Sequence, residues 1–220
     1  MDARTRTIQL ADAFIQNGDP LGWFEQLYAT AEGDPATVPW AHLVPNPVLT
    51  EWLEANQISG NGKAAIVVGC GLGDDAEMLA ERGFEVTAFD ISPTAIAWCQ
   101  QRFPNSLVTY TVANLFATSE TWQHRFDFVL ESYTIQAMPP ELRAQAIPKI
   151  ADLISETGQL LVICRGREPA QPLTTVPFPL TKAELQGFQQ AGLTEIKFED
   201  FFEQDSQPVR RFRVLYGRAR

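Results

Sequence analysis

Gly69, Gly71 and Gly73 alternate through Val68-Gly69-Cys70-Gly71-Leu72-Gly73, directly after the apolar run Ala64–Val68. Glycines spaced this way let a chain turn tightly and let a ligand rest on bare backbone, because no Cβ intervenes. Asp90 stands behind a second such run, Glu85–Phe89. A carboxylate at a strand end can accept hydrogen bonds from a pair of sugar hydroxyls, and a charged acceptor contributes roughly 1.5–3 kcal/mol. The other reading makes Asp90 a cap for the helix after Ser92-Pro93. Behind the third run comes Val112-Ala113-Asn114-Leu115-Phe116. There a side-chain amide or backbone N–H can meet the edge of a flat heterocycle, with Leu115 or Phe116 on its face.

A second set of polar residues follows later in the chain. Glu131, Ser132, Tyr133 and Gln136 share one loop, Arg165 and Arg167 the next, and Phe178 lies in a proline-rich stretch. Glu131 is either an orienting carboxylate or general base, or a helix-capping or solvated acid. Tyr133 either hydrogen-bonds a ligand or packs. Arg165 suits an anionic group. His42 lies in a proline-rich N-terminal loop, as a base or a loop residue, and His124 in the loop before the fourth strand. Cys70, Cys99 and Cys164 make neither a disulfide framework nor a metal spacing, and with two histidines no metal site is expected.

Alternating periods give the elements that must hold these groups. Strands are expected at 64–68, 85–89, 107–112, 126–131 and 159–164, with helices at 75–83, about 93–103 and about 139–154. Asp74 or Asp75 is the expected N-cap of the first. This βαβ alternation with short connections predicts an α/β, doubly wound, mostly parallel sheet. Thr181-Lys182-Ala183-Glu184 reads as a capping box opening a helix that stops at Gly192. Glu195–Phe202 and Val209–Gly217, around Glu203–Pro208, read as an antiparallel hairpin, giving seven strands in all. Ahead of the sheet, helices are expected from Asp19-Pro20 through Ala31 and at about 47–57. Their aromatics, Trp23 and Tyr28 among them, either pack on the sheet or roof a cleft, as does Trp40 in the loop between them. Residues 1–60 thus form a helical extension acting as a lid, and 61–220 the main domain, in one compact whole.

The 220 residues carry 17 Lys+Arg against 27 Asp+Glu, a net charge of −10 that repels nucleic acid and anionic membranes. Arg210, Arg211, Arg213, Arg218 and Arg220 gather near the end. They read as the exposed face of a last strand with a frayed tail, against a nucleic-acid patch. The stretch Met1–Phe14 lacks the apolar h-region of a signal peptide and no 18-residue apolar run occurs, so with an odd cysteine count a cytoplasmic protein is expected.

Spacing separates the cofactors that use glycine turns. Counting from Gly69 and Gly71, the third glycine or alanine of a dinucleotide fingerprint falls on Asp74, where a carboxylate would face the diphosphate. S-adenosyl-L-methionine (SAM) carries no diphosphate, and its methionine and ribose can lie across a G-x-G-x-G turn. Together the turn, Asp90 and the closing hairpin resemble the Rossmann-like SAM-dependent methyltransferases. The acid common in that family two residues before the first glycine is replaced by Val67. Val67–Asp75, Phe89–Ser92, Gln136–Arg143 and Pro177–Thr181 are similar to the thiopurine S-methyltransferase-like branch, which includes thiol, halide and chalcogen-oxyanion methyltransferases. That branch has Asp-Arg after the fourth strand, where this chain has Glu131-Ser132-Tyr133.

The resemblance implies a SAM-dependent methyltransferase acting on a small molecule, with S-adenosyl-L-homocysteine (SAH) as product and a monomer as the working state. The acceptor is a thiol, halide or chalcogen compound, or a small aromatic or carboxylic metabolite. Pro39-Trp40 matches a Pro-Trp pair whose Trp the family places on the cofactor. The expected cofactor contacts are Trp40, Gly69, Gly71, Gly73, Asp75, Asp90, Ile91, Asn114, Leu115, Phe116 and Glu131. Glu131 and Tyr133 are the expected catalytic residues, with Trp23, Tyr28, Tyr133, Gln136, Arg165 and Phe178 on the substrate. The alternatives are a non-catalytic SAM-binding module and an O- or N-methyltransferase of a natural-product-like metabolite; an NAD(P) oxidoreductase fits Asp74 poorly.

Overall fold

A computed structural model describes residues 2–203 and 208–218. Seven strands lie in the order β3-β2-β1-β4-β5-β7-β6, the doubly wound, mostly parallel sheet with a closing antiparallel hairpin that the alternation predicts. The chain divides into two compact units, Met1–Asn114 and Leu115–Arg220; the boundary expected from sequence is 60/61.

The first unit opens with a helix that the local pattern does not announce, α1 (Ala3–Gln16). Asp2 caps it by accepting from Thr5 N at 2.9 Å, and its Ala11 is fully buried. α2 (Gly22–Thr30) starts after Pro20, with Asp19 Oδ1 accepting from Gly22 N. It buries Trp23, Leu27 and Tyr28. α3 (Pro47–Ala55) has Pro at its first turn and the Asn46 side chain as its cap. β1 (Ala64–Val68) pairs in parallel with β2 (Glu85–Asp90), and β2 with β3 (Thr109–Val112). α4 (Asp74–Glu81) and α5 (Pro93–Arg102) complete the βαβ pattern. Four of the five β1 residues are buried, as a strand covered on both faces requires.

In the second unit β4 (Phe126–Ser132) runs parallel to β5 (Ile154–Arg165), with α6 (Pro140–Ala151) between them in sequence. The expected helix to 154 ends sooner and the strand starts earlier because Ile154 pairs beside Phe126. Gly158 permits this: a Cβ there would stand 2.5 Å from Phe126 O. The Thr181 capping box is present, but its helix is two single turns, α7 (Lys182–Leu185) and α8 (Gly187–Gln190). The break comes where the backbone at Gly187 packs closely on Ile147. β6 (Leu193–Glu203) and β7 (Val209–Arg218) form the antiparallel hairpin. Of the stretch between them, residues 204–207 lie outside the described residues, as does Arg220.

The remaining C-terminal arginines are not a solvated face. Arg211 and Arg213 are buried, and Arg210, Arg211 and Arg213 pair with Asp200, Glu203 and Glu199 of the neighbouring strand. Alternation sends 211 and 213 to the face opposite Arg210. Their burial therefore follows from the ladder, which a run of charges in sequence does not reveal.

Candidate functional site

In the first unit the glycine turn and the end of β2 are joined through one carboxylate. Gly69, Gly71 and Gly73 have φ of 62°, 54° and 89°, the left-handed region that glycine enters without penalty. Asp90 Oδ2 accepts from Gly71 N at 2.9 Å and Oδ1 from Ser92 N at 3.0 Å. Asp90 is 7% exposed, and burial pushes its pKa up to about 6 against those backbone hydrogen bonds. A carboxylate offers roughly four acceptor positions, so capacity stays open for a ligand's hydroxyls. The helix cap is Ser92, whose Oγ accepts from Ala95 N. Asp90 therefore shapes the turn rather than capping the helix.

Neither aspartate after the turn is the cap of α4; Gly73 is. Asp74 turns to Arg102 at 2.7 Å, so its charge is compensated and that part of the case against a diphosphate loses force. Asp75 Oδ1 accepts from Asn46 N at 2.7 Å, tying the turn to the loop before α3. Gly73 has a further reason to be glycine: its Cβ would stand 2.5 Å from Tyr110 Oη. That hydroxyl donates to Glu77 at 2.6 Å.

Aromatic residues lie against this turn. Trp40 Nε1 donates to Tyr28 Oη at 2.8 Å, and a Cβ on Gly71 would be 3.1 Å from that hydroxyl. Burial, then the charge of Asp90, raises the Tyr28 pKa well above its ordinary value. Trp23 is fully buried edge-on to Trp40, and its Nε1 has no acceptor. Trp40 itself stays 37% exposed. Glu25, absent from the sequence-derived set, accepts from Ser92 Oγ, Thr94 N and Thr94 Oγ1 at 2.5, 3.1 and 2.6 Å. It fastens α2 to the start of α5 next to Asp90. Its partners are 67 and 69 residues away, beyond any local sequence signal. Both Cys70 and Cys99 thiols point at the carbonyl of Gly71. The Cys99 hydrogen bond, then burial, raises the Cys70 pKa, which keeps it a thiol rather than a nucleophile. Ile91 is half-buried and Asn114 exposed at the end of β3.

The second unit gathers the later set. Glu131 lies near the end of β4 fully buried, with Oε1 accepting from Thr134 N at 2.8 Å and Ile135 N at 2.9 Å. Its Oε2 has no partner, and burial lifts the pKa to about 7. One oxygen caps a turn, as the capping reading expects, and the other is unspent. Tyr133, half-buried, has φ of 64°, uncommon for a side chain of its size. Gln136 Oε1 accepts from Arg165 N at 2.6 Å, and the Gln136 carbonyl accepts from Phe178 N at 2.6 Å. Gln136 is thereby a clasp between three loops, the proline-rich one included.

Arg143 holds that proline-rich loop as well, through the Phe178 carbonyl and Glu184. Arg167 is spent on loop carbonyls from Glu168 to Pro179 and on Glu184, so it is an anchor rather than an anion site. Phe178 and Leu115 are buried and Phe116 is half-buried. His42 is exposed, and His124 Nδ1 meets Arg218 Nη2. Among the described residues no cluster of His, Cys, Asp or Glu is placed to hold a metal ion, and no helix is long and apolar enough to cross a membrane. All three cysteines are free.

Residues 65–158 match the family described as "Methyltransferase domain". Over this stretch the chain is similar to methyltransferase domains of Rossmann-like fold. It is 24% identical over 157 residues to a thiopurine S-methyltransferase of Aliivibrio fischeri, covering 64% of this chain and 71% of that enzyme. It is 29% identical over 133 residues to a ubiquinone biosynthesis O-methyltransferase of Azotobacter vinelandii, covering 60% of this chain and 56% of that enzyme. The structure of a Burkholderia thailandensis 1,6-didemethyltoxoflavin-N1-methyltransferase, crystallised with S-adenosylhomocysteine, superposes with a TM-score of 0.70 at 17% identity. That superposition covers 90% of this chain and 88% of the other, and it shows a shared fold.

The residues at the turn fit an adenosyl-sulfonium donor. The glycine turn is bare backbone, and Asp90, with two backbone N–H groups on its carboxylate, has acceptor positions that ribose hydroxyls would fill.

Proposed function

We propose that the protein transfers a methyl group from SAM to a small aromatic or carboxylic metabolite, and that Asp90 and the glycine turn hold the donor. The observation that carries this reading is the turn itself: three left-handed glycines, the middle one held through its N–H by the Asp90 carboxylate. SAM supplies an activated methyl on a sulfonium, so the protein's work is alignment of the acceptor, which can account for about 7–11 kcal/mol of a barrier. On this reading Trp40, Asp75, Ile91, Asn114, Leu115 and Phe116 border the donor, while Trp23, Tyr28, Tyr133, Gln136, Arg165 and Phe178 border the acceptor.

Glu131 is assigned the proton. Its unpartnered Oε2 and a pKa near 7 suit a general base for an acceptor that is protonated at working pH. Tyr133 is assigned to orienting that acceptor. Two observations favour a carbon-framework acceptor over a halide. The branch's Asp-Arg pair is replaced by Glu131-Ser132-Tyr133, and the aromatic Phe178 is fastened to the same loop through the Gln136 carbonyl. The thiol reading is retained as the second one, supported by likeness to a thiopurine S-methyltransferase. Residues 1–60 are proposed as a lid on the remainder, and the protein as a cytoplasmic monomer without nucleic-acid or membrane partners.

Calorimetric titration with SAH tests the donor assignment; absence of both heat and thermal shift at millimolar ligand removes it. A methyl-transfer screen over thiols, halides, selenite, phenols and aromatic acids then ranks the acceptors. Donor binding without turnover of any acceptor would instead identify a SAM-binding module.

A further inference from the structure

The run of arginines near the end of the chain reads in sequence as a solvated strand face, yet Arg211 is 8% exposed. Glu203 Oε2 accepts from its Nε at 2.8 Å and from its Nη2 at 2.6 Å. Its Nη1 is buried with no hydrogen-bond partner. A guanidinium has five N–H groups in a fixed fork. Glu203 takes one from Nε and one from Nη2, which leaves both on Nη1 and the second on Nη2. Those remaining groups form the end-on edge of the fork, the edge that matches two carboxylate oxygens.

The neighbouring strands do not supply an acceptor for Nη1. Arg213 on the same strand face engages both oxygens of Glu199, through Nε and Nη2. Arg165 stands directly opposite Arg211 in the β5–β7 register, so the cross-strand partner is a second cation rather than an anion. The Arg211 guanidinium carbon lies 5.2 Å from the centre of the Tyr133 ring. Tyr133 holds its left-handed backbone with its N–H on the Ile163 carbonyl at 2.9 Å. An uncommon backbone conformation that places an aromatic ring against a guanidinium with one nitrogen unspent is the kind of local strain found where a ligand is held.

We propose that Arg211 binds a carboxylate on the methyl acceptor, end-on through Nη1 and Nη2, with the Tyr133 ring alongside. The proposal rests on the methyl-transfer reading above for the word acceptor, and on the second unit's own geometry for the anion. It narrows the acceptor to aromatic or small organic acids and makes Arg211 a specificity residue from the last strand.

Benzoate and its neutral isostere benzamide are the probes, titrated by calorimetry with and without saturating SAH. The wild-type protein is expected to bind benzoate about ten-fold more tightly than benzamide, a single charge-assisted pairing. Arg211→Met is expected to abolish that ratio while leaving benzamide and SAH affinities unchanged. Arg211→Lys keeps the charge beside Glu203 without the fork, and is expected to fold as the parent does and lose most of the ratio. Equal affinity of the two probes for the wild type, or a ratio that survives both substitutions, overturns the proposal. So does a loss of SAH affinity in Arg211→Met with the benzoate ratio intact, which places the arginine on the donor. If SAH fails to bind the wild type, the donor reading falls, and the titrations without SAH still decide this one.

Discussion

The two units treat their buried polar atoms differently. Around the glycine turn nearly every group is spent within the chain: Gly71 N and Ser92 N on Asp90, Gly73 N on the Cys70 carbonyl, Asp74 on Arg102, Asp75 on Asn46, Ser92 and Thr94 on Glu25. Only Trp23 Nε1 is an orphaned buried side-chain atom among the described residues of that unit. The second unit leaves four: Glu131 Oε2, Arg143 Nε, Thr175 Oγ1 and Arg211 Nη1. Each such atom is costly unless something pairs with it. A satisfied network preorganises a surface for one fixed ligand. Unspent polarity is tolerated where the ligand itself completes the bonding, and so it marks the part of a site that discriminates. Under the proposed methyl transfer, the first unit's network suits the donor and the second unit's unspent groups the acceptor.

Four substitutions break or sharpen this contrast. The largest effect is expected at Gly73→Ala, where φ of 89° and a Cβ 2.5 Å from Tyr110 Oη act together. A left-handed non-glycine residue costs about 1–3 kcal/mol before any clash. Thermal melts should show a lowered Tm and SAH titration a lost site; a variant that melts and binds like the parent would show the turn to be less constrained than the geometry requires.

Glu131→Gln comes next, and its sign is opposite. The folded pKa of about 7 lies above the ordinary 4.5. The stabilisation from this group is therefore complete below 4.5 and is lost as pH rises through 7. Removing the charge should raise stability at pH 8 by on the order of 3 kcal/mol and flatten the dependence between pH 4.5 and 7, while methyl transfer falls. Denaturant melts at about pH 5 and about pH 8 check it, and an unchanged difference between the two would mean that Glu131 is not a buried charge.

Asp90→Ala should weaken SAH binding about 10- to 100-fold, the loss of a charged acceptor. In the wild type, hydroxyl donors favour the ionised carboxylate, so SAH affinity should fall as pH drops through about 6. Calorimetry from about pH 5 to about pH 8 tests both, and a flat profile would confine Asp90 to shaping the turn. Smallest is Glu25→Gln, which weakens the fastening of α2 to α5 and should cost about 1 kcal/mol of stability with a few-fold loss in SAH affinity. A change in melting without any change in SAH affinity would separate that fastening from the donor surface.

Much of the frame is legible in the sequence because it depends on local pattern. Five apolar residues before Gly69, and Asp90 at the end of the next strand, identify a buried parallel strand pair and the turn between them. Thr181 and Glu184 announce their capping box, three residues apart. Harder to read are features set by partners far along the chain. α1 escapes pattern reading because its buried face is narrow, Thr7 and Ala11. Arg167 looks like a ligand-binding side chain in sequence, and the structure spends it on loop carbonyls and Glu184.

What the sequence determined by itself was the alternation of strands and helices from residue 64 to 164, the glycine turn and the carboxylate at the end of the second strand. Periodicity, capping and left-handed backbone are properties of residues a few positions apart. Only the tertiary structure decided which polar atoms are satisfied: that Glu25 closes on Ser92 and Thr94, that Asp74 is neutralised by Arg102, and that Arg211 is buried with one nitrogen unspent. Burial and hydrogen-bond pairing depend on groups tens of residues apart meeting in space, and no local pattern of residues encodes such a meeting.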